Sequence, residues 1–162
     1  MDRSRRVISG IAPDGRSAVL REEDLGPLPV AMPQSIWRMD DWPAVPNDGA
    51  GSTSTVFPTN RGVWVVKWAL AAHETATSGN DMVAMAEDEP GFHSTQSVDV
   101  TVVLAGRVTI EFDDGETRTL AEGDTVVVNG NRHAWHNRHP QRCTLMSVIV
   151  GARAADQLDR PS

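Results

Sequence analysis

SVDVTVVLAGRVTIEFDDG, residues 97–115, decides the fold class. Polar and apolar side chains alternate from Ser97 to Leu104, the chain turns at Ala105-Gly106, and alternation resumes over Arg107–Phe112. Asp113-Asp114-Gly115 then closes a strong hairpin signal. Successive side chains of a strand face opposite sides, so Asp99, Thr101 and Val103 share one face. Outward from this stretch the rhythm continues. Glu116–Leu120 returns from the turn, and Ala121–Asp124 turns into a strand over Thr125–Val128. Asn129-Gly130-Asn131 turns again, and His133–Asn137 and Arg142–Val150 complete the set. Upstream, Gly62–Leu70 reads as a strand. His73 to Glu89 reads as a polar loop with a helical turn over Met82–Met85. Many short strands, frequent turns and no long helix predict an all-β sandwich or barrel.

The first 60 residues read differently. They hold seven of the ten prolines, which marks an irregular extended arm. Pro13-Asp14-Gly15 predicts a hairpin turn between Arg6–Ser9 and Ser17–Leu20. Ser35–Met39 reads as another short strand. Trp37 and Trp42 are large apolar anchors expected to tie the arm to the domain or to a second subunit. The chain thus divides into an arm (1–60), a β domain (61–152) and a tail (153–162) that forms a short helix or frays.

A length of 162 residues fits one domain. The net charge of −7 argues against a nucleic-acid or anionic-membrane partner, either of which would need a basic face. Arg3, Arg5 and Arg6 read as a solvated basic cluster. The single cysteine, Cys143, excludes an intrachain disulfide framework and a Cys-rich zinc site. It lies in an apolar strand pattern, so a buried, inert thiol is expected. No apolar run approaches the ~20 residues that span a bilayer, and no apolar core follows the N-terminal arginines, as a signal peptide would require. The expectation is a soluble, cytoplasmic protein.

The residues that could carry chemistry lie between His93 and Asn137. His93 and Thr95 share parity with Asp99, Thr101 and Val103, and His133 shares parity with Trp135 and Asn137. If these faces line one interior, two imidazoles and a carboxylate meet there, with Trp64, Trp68 and Trp135 as pocket walls. Such a set suits a divalent Fe, Mn, Ni or Zn ion with open positions for water or substrate, or an acid/base pair; the spacing leaves both open. Buried Asp99 would need a metal, a protonated imidazole or a hydroxyl such as Thr101. His73, His136 and His139 match no such position and read as hydrogen-bonded structural residues, with His136 on the face opposite His133. Glu87, Asp88 and Glu89 read as a solvated run, Phe92 as packing and Asp124 as turn chemistry.

These residues resemble the two motifs of the cupin superfamily, in its small single-domain form. The first motif runs His-x-His, three or four residues, Glu, six residues, Gly; here it reads His93, Thr95, Asp99, Gly106. The second runs Gly, five residues, Pro-x-Gly, two residues, His, three residues, Asn; here it reads Gly123, Asn129, Gly130, His133, Asn137. Thr95 stands in place of the second histidine, Asp99 in place of Glu, Asn129 in place of Pro, and Glu87 where a glycine would precede. The spacing from Asn129 to Gly130 is one residue short.

The resemblance implies a double-stranded β-helix, or jelly-roll, barrel over 61–152, with the N-terminal arm packed on it or exchanged in a homodimer. It implies metal-ligand roles for His93, Asp99 and His133, and for Thr95 a weak neutral ligand or supporting hydroxyl. The expected function is an enzyme that decarboxylates, dehydrates or isomerises an oxygenated metabolite, an enolisable carbonyl or carboxylate compound. The metal would act as Lewis acid. Without metal, Asp99 and His133 would serve as general acid and base, with Thr95 as a hydrogen-bond donor. A metal-dependent dioxygenase and a non-catalytic small-ligand binder are the alternatives. No helix-turn-helix pattern is visible.

Overall fold

The computed structural model describes residues 3–29, 32–45, 47–51, 57–58, 60–76, 84–85 and 91–153. Their strands are β1 (Arg3–Ile11), β2 (Ser17–Pro27), β3 (Gln34–Met39), β4 (Val63–Leu70), β5 (Ala84–Met85) and β6 (His93–Ser94). β7 (Ser97–Ala105), β8 (Arg107–Glu111), β9 (Thr117–Ala121), β10 (Thr125–Asn129), β11 (Ala134–His136) and β12 (Cys143–Gly151) follow. One sheet has the order β10-β7-β12-β4-β3 and a second the order β11-β8-β9; β1-β2 and β5-β6 form separate two-stranded pairs. The architecture is mostly β-strand and consistent with a jelly roll.

The expected closed barrel is not what these strands make. Among the described residues no ladder joins the five-stranded sheet to the three-stranded one. The reason is a corner at Gly106. β7 belongs to the first sheet and β8 to the second, and the single residue between them has φ +81, a left-handed conformation that favours glycine. The preceding turn of the path is eased by a register shift, where Thr144 pairs with Ala105 but Leu145 pairs with Val103. Leu104 is therefore the extra residue of a bulge, which bends and twists β7 just before it changes sheet. Alternation in sequence runs through the corner while the hydrogen-bonding partner changes.

Side chains, not ladders, hold the two sheets together. Leu70, Val103, Val128, Cys143 and Leu145 of the larger sheet meet Val108, Ile110 and Trp135 of the smaller in one buried cluster. Leu145 and Ile110 are wholly inaccessible, and each such side chain contributes about 1.5–3 kcal/mol by leaving water. Cys143 is a free, buried thiol whose pKa burial pushes up to about 11, so it is inert as expected.

The arm carries the expected hairpin, longer than its turn signal required. β1 and β2 pair antiparallel with Ile11 opposite Ser17 and Arg3 opposite Pro27. The hairpin is tied to the rest by Arg6, whose Nη1 donates to the Ile36 carbonyl at 2.5 Å, and by Arg142, whose Nη2 donates to the Leu28 carbonyl at 2.9 Å. β3 joins the larger sheet at its edge, beside β4. Trp37 is half-buried, and Trp42 is 73% exposed. The helical turn expected over Met82–Met85 is corrected in its described half: Ala84–Met85 is strand β5, with Met85 opposite His93. Met82, the acidic run at 87–89 and residues 154–162 lie outside the described residues. No described helix is long and apolar enough to cross a membrane.

The corner can be tested directly. A Cβ on Gly106 would stand 2.7 Å from the Arg142 carbonyl oxygen, whereas one on Gly115 (φ +74) would meet nothing within 4 Å. Gly106→Ala is expected to lose about 2 kcal/mol or more through strain and clash, and Gly115→Ala less, measured from urea unfolding midpoints.

Candidate functional site

His93 opens β6 and His133 immediately precedes β11. The two residues face one another in an isolated antiparallel bridge in which each backbone N–H donates to the other's carbonyl at 2.9 Å. Their rings lie 4.4 Å apart at 54°. His93 Nδ1 is 3.0 Å from the Gly91 carbonyl, and His133 Nδ1 is 3.0 Å from the Asn131 carbonyl. A carbonyl only accepts, so Nδ1 of each ring must carry the proton and Nε2 of each neutral ring keeps its lone pair. Burial pushes both imidazoles below the usual histidine range. For His133 the nearby His93 adds to the effect, and its pKa falls to about 4. At neutral pH both rings are uncharged, the state in which imidazole is a ligand or a base.

An aromatic and hydroxyl series leads away from this pair. Trp135 meets His133 edge-on at 5.9 Å, and Trp68 meets Trp135 edge-on at 5.4 Å. The Trp68 indole N–H donates to Ser147 Oγ at 2.9 Å, and Ser147 Oγ lies 2.8 Å from Thr101 Oγ1. These polar groups are buried but mutually satisfied.

Asp99 lies on β7 between Val128 of β10 and Ile149 of β12. Its Oδ1 is buried and has no hydrogen-bond partner. Burial raises its pKa, and a hydrogen bond from Ser97 partly counters this. Thr95 Oγ1 lies 2.7 Å from Ser97 Oγ, so Thr95 reaches Asp99 through an intermediate hydroxyl. Among the described residues no three His, Cys, Asp or Glu side chains gather closely enough to hold a metal ion. The structure brings His93 and His133 together and leaves Asp99 outside their pair.

The remaining residues take these places. Val103 packs in the main core. Trp64 packs in a second apolar cluster with Val66, Ile149 and Phe57, donates its indole N–H to Ser35 Oγ at 2.9 Å and lies under Arg38. Trp68, Trp135 and Thr101 belong to the series that starts at His133. Asn137 is buried, donating through Nδ2 to the carbonyls of Ala71 and Gln141 and accepting from the His139 backbone N–H through Oδ1. It locks two loops to each other. His136 faces the opposite way from His133, toward Thr75 and Glu111. Among the described residues His136 Nε2 and His139 Nε2 are buried without a hydrogen-bond partner. Ser97 and Ser147 are additions. Their strand parity matches Asp99 and Leu145, which places them on inward faces but does not say which hydroxyl meets which.

Residues 82–149 match the family described as Cupin_2, the cupin domain. That stretch of the chain is a cupin domain. The chain is 34% identical over 95 residues to phomopsin biosynthesis cluster protein C' of Diaporthe leptostromiformis, covering 55% of this chain and 50% of that protein. It is 41% identical over 49 residues to oryzines biosynthesis cluster protein J of Aspergillus oryzae, covering 30% of this chain and 27% of that one. The chain therefore spans half or less of the length of these curated relatives. Among solved structures, it is similar to an uncharacterised Klebsiella pneumoniae protein with a double-stranded β-helix domain. The TM-score is 0.48 at 16% identity, covering 76% of each chain.

The buried imidazoles make stability depend on pH. His133 holds its proton less tightly when folded than at its ordinary value of 6.5. Its contribution is therefore fully present above pH 6.5 and is lost as pH falls toward about 4. With chelator present, the urea midpoint of the cupin is expected to fall between pH 7 and pH 4.5, and His133→Gln to flatten that fall.

Proposed function

We propose that this cupin is an enzyme of small-molecule metabolism that acts on an oxygenated metabolite by decarboxylation, dehydration or isomerisation. The observation that carries the reading is the His93–His133 pair. Two uncharged imidazoles lie 4.4 Å apart, each fixed through Nδ1 on a backbone carbonyl. Among the described residues neither Nε2 has a hydrogen-bond partner, so both lone pairs are free for a proton, a cation or a substrate. The two curated relatives belong by name to biosynthesis clusters for phomopsins and oryzines, which supports secondary metabolism as the setting.

The donor set fits a divalent Fe, Mn, Ni or Zn ion. The rings are in their ligating protonation state, their Nδ1–H groups have the backbone carbonyl partners that orient ligating histidines, and Asp99 offers a buried oxygen that lacks a partner. His93 and His133 would hold the ion, and Asp99, which lies outside their pair, would join them only by moving inward. Bound there, the ion supplies Lewis-acid polarisation of a substrate oxygen. The chain's own residues do the rest. Trp135 and Trp68 limit water at the pair. Asp99, with its raised pKa, gives or takes a proton, and Ser97 fixes its orientation with Thr95 behind. The exposed face of the β1–β2 hairpin, with Val7, Ile11 and Val19, is the surface we assign to a second copy of the chain.

A second reading, binding without turnover, is favoured by one observation: Asp99 is not gathered with the histidines. Elemental analysis of the purified protein, with His93→Ala and His133→Ala alongside, separates the two. The metalloenzyme reading expects close to one divalent metal per chain, lost in both variants. Absence of metal from the wild type after reconstitution with Fe(II), Mn(II), Ni(II) and Zn(II) would sink it.

A further inference from the structure

A second group of reactive side chains lies on the other face of β11, away from the histidine pair. Thr75, His136 and Glu111 form a series of hydroxyl, imidazole and carboxylate. Thr75 Oγ1 is 2.9 Å from His136 Nδ1, and His136 Nε2 is 3.2 Å from Glu111 Oε2. The backbone sets this placement. Thr75 and His136 are opposed in an antiparallel bridge, clamped by Ala76 N–H to the Trp135 carbonyl at 2.8 Å and Asn137 N–H to the Glu74 carbonyl at 2.7 Å. Gly91 closes the other side, where a Cβ would lie 2.7 Å from Thr75 Cγ2.

Two further observations mark the place. Thr75 and His136 line a surface cleft of about 190 Å³, together with His73, Glu74, Asn137 and Arg138, while Glu111 stands behind His136. His73, at the rim, is one of two described non-glycine residues with positive φ, at +57. Backbone strain of this kind is held where surrounding structure over-determines it, and it clusters at functional sites. His136 is uncharged at neutral pH, because burial and the nearby Arg138 lower its pKa more than Glu111 raises it. His136 Nε2 lies 3.2 Å from Glu111 Oε2 without a hydrogen bond between them, and Nδ1 accepts the Thr75 proton in the tautomer that carries hydrogen on Nε2.

We propose that Thr75, His136 and Glu111 form a second reactive centre that takes short acyl groups from small esters. Thr75 Oγ1 forms a bond to the acyl carbon and gives its proton to His136 Nδ1. The bond from that carbon to the leaving oxygen breaks, and the proton passes to the departing alkoxide. Water then attacks the acyl-threonine, giving a proton to His136. The bond to Oγ1 breaks, and the carboxylic acid and the threonine hydroxyl are restored. Glu111 is a positioning residue: its carboxylate, 3.2 Å from Nε2, favours the accepting tautomer once the ring turns to bond it. Arg138, bonded to Glu111 at 2.7 Å and lining the cleft, is placed to stabilise the oxyanion. The cleft volume limits the acyl group to a few carbon atoms.

The test treats the full chain with p-nitrophenyl acetate and follows both p-nitrophenolate release and the acetylated residue by tandem mass spectrometry. Acetylation of Thr75 is expected, with release reduced about 100-fold in Thr75→Val and His136→Gln. Thr75→Ser is expected to retain release. This hydroxyl control keeps the test decisive if the valine variant is unstable. Glu111→Gln is expected to slow release without moving the adduct, and Glu111→Asp to recover part of the loss. Acetyl found only on lysines or the N-terminus, or equal release from wild type and Thr75→Val, would overturn the proposal.

Discussion

The chain can leave one sheet and enter the other only where a residue has no side chain, and that residue is Gly106. Its φ of +81 and the Arg142 carbonyl against its Cα leave no room for a Cβ. Because the change of partner takes one residue, the inward faces of β7 and β8 stay in phase across it. Val103 and Val108 enter the same core from opposite sheets. The same phase puts Asp99 and Thr101 on the inner side, Asp99 beside Ser97 and Thr101 against the hydroxyl of Ser147. The position of the candidate site along the strands is thus a consequence of where the corner falls.

The interior acts on its titratable groups with one physical force and two signs. Loss of water disfavours whichever form is charged, so the imidazoles of His93 and His133 are driven toward neutrality from above and the Asp99 carboxyl from below. Local hydrogen bonds oppose the force in each case: Gly91 and Asn131 carbonyls for the histidines, the Ser97 hydroxyl for the aspartate. The outcome is a largely buried group of side chains with lone pairs available and little net charge. It differs sharply from the outer face of β11, where Glu111 stands between His136 and Arg138.

Much of this was legible in the sequence, and the limits have physical causes. The alternation of residues 97–115, the Asp-Gly turns and the parity of His93, Asp99 and His133 all report faces of strands, which depend only on local geometry. Strands β7 to β12 follow from them. Sheet membership does not, since alternation is identical on both sides of Gly106 while the ladder partner changes. β5 has only two residues and carries no period of its own; its pairing with β6 comes from distant chain. Ser97 and Ser147 share the right faces, but a hydroxyl's partner depends on sheet order, which no periodicity encodes. Trp42 marks another limit: a large apolar side chain suggests burial but does not name the partner, and among the described residues it stands exposed. His136 was legible as outward-facing from parity, while its neighbours come from an isolated bridge in the loop after β4 (Thr75) and from the end of β8 (Glu111).

The hairpin at the N-terminus has one more consequence. Among the described residues β1 and β2 pair only with each other, so each keeps an unpaired edge of backbone donors and acceptors beside the exposed Val7, Ile11 and Val19. Such an edge is a template for uncontrolled strand addition. The ion pairs Arg5–Glu22 and Arg6–Glu23 run between β1 and β2, not along those outer edges. The arginines that read as a plain solvated cluster are thus braces across the hairpin, and its edges are left open to another strand.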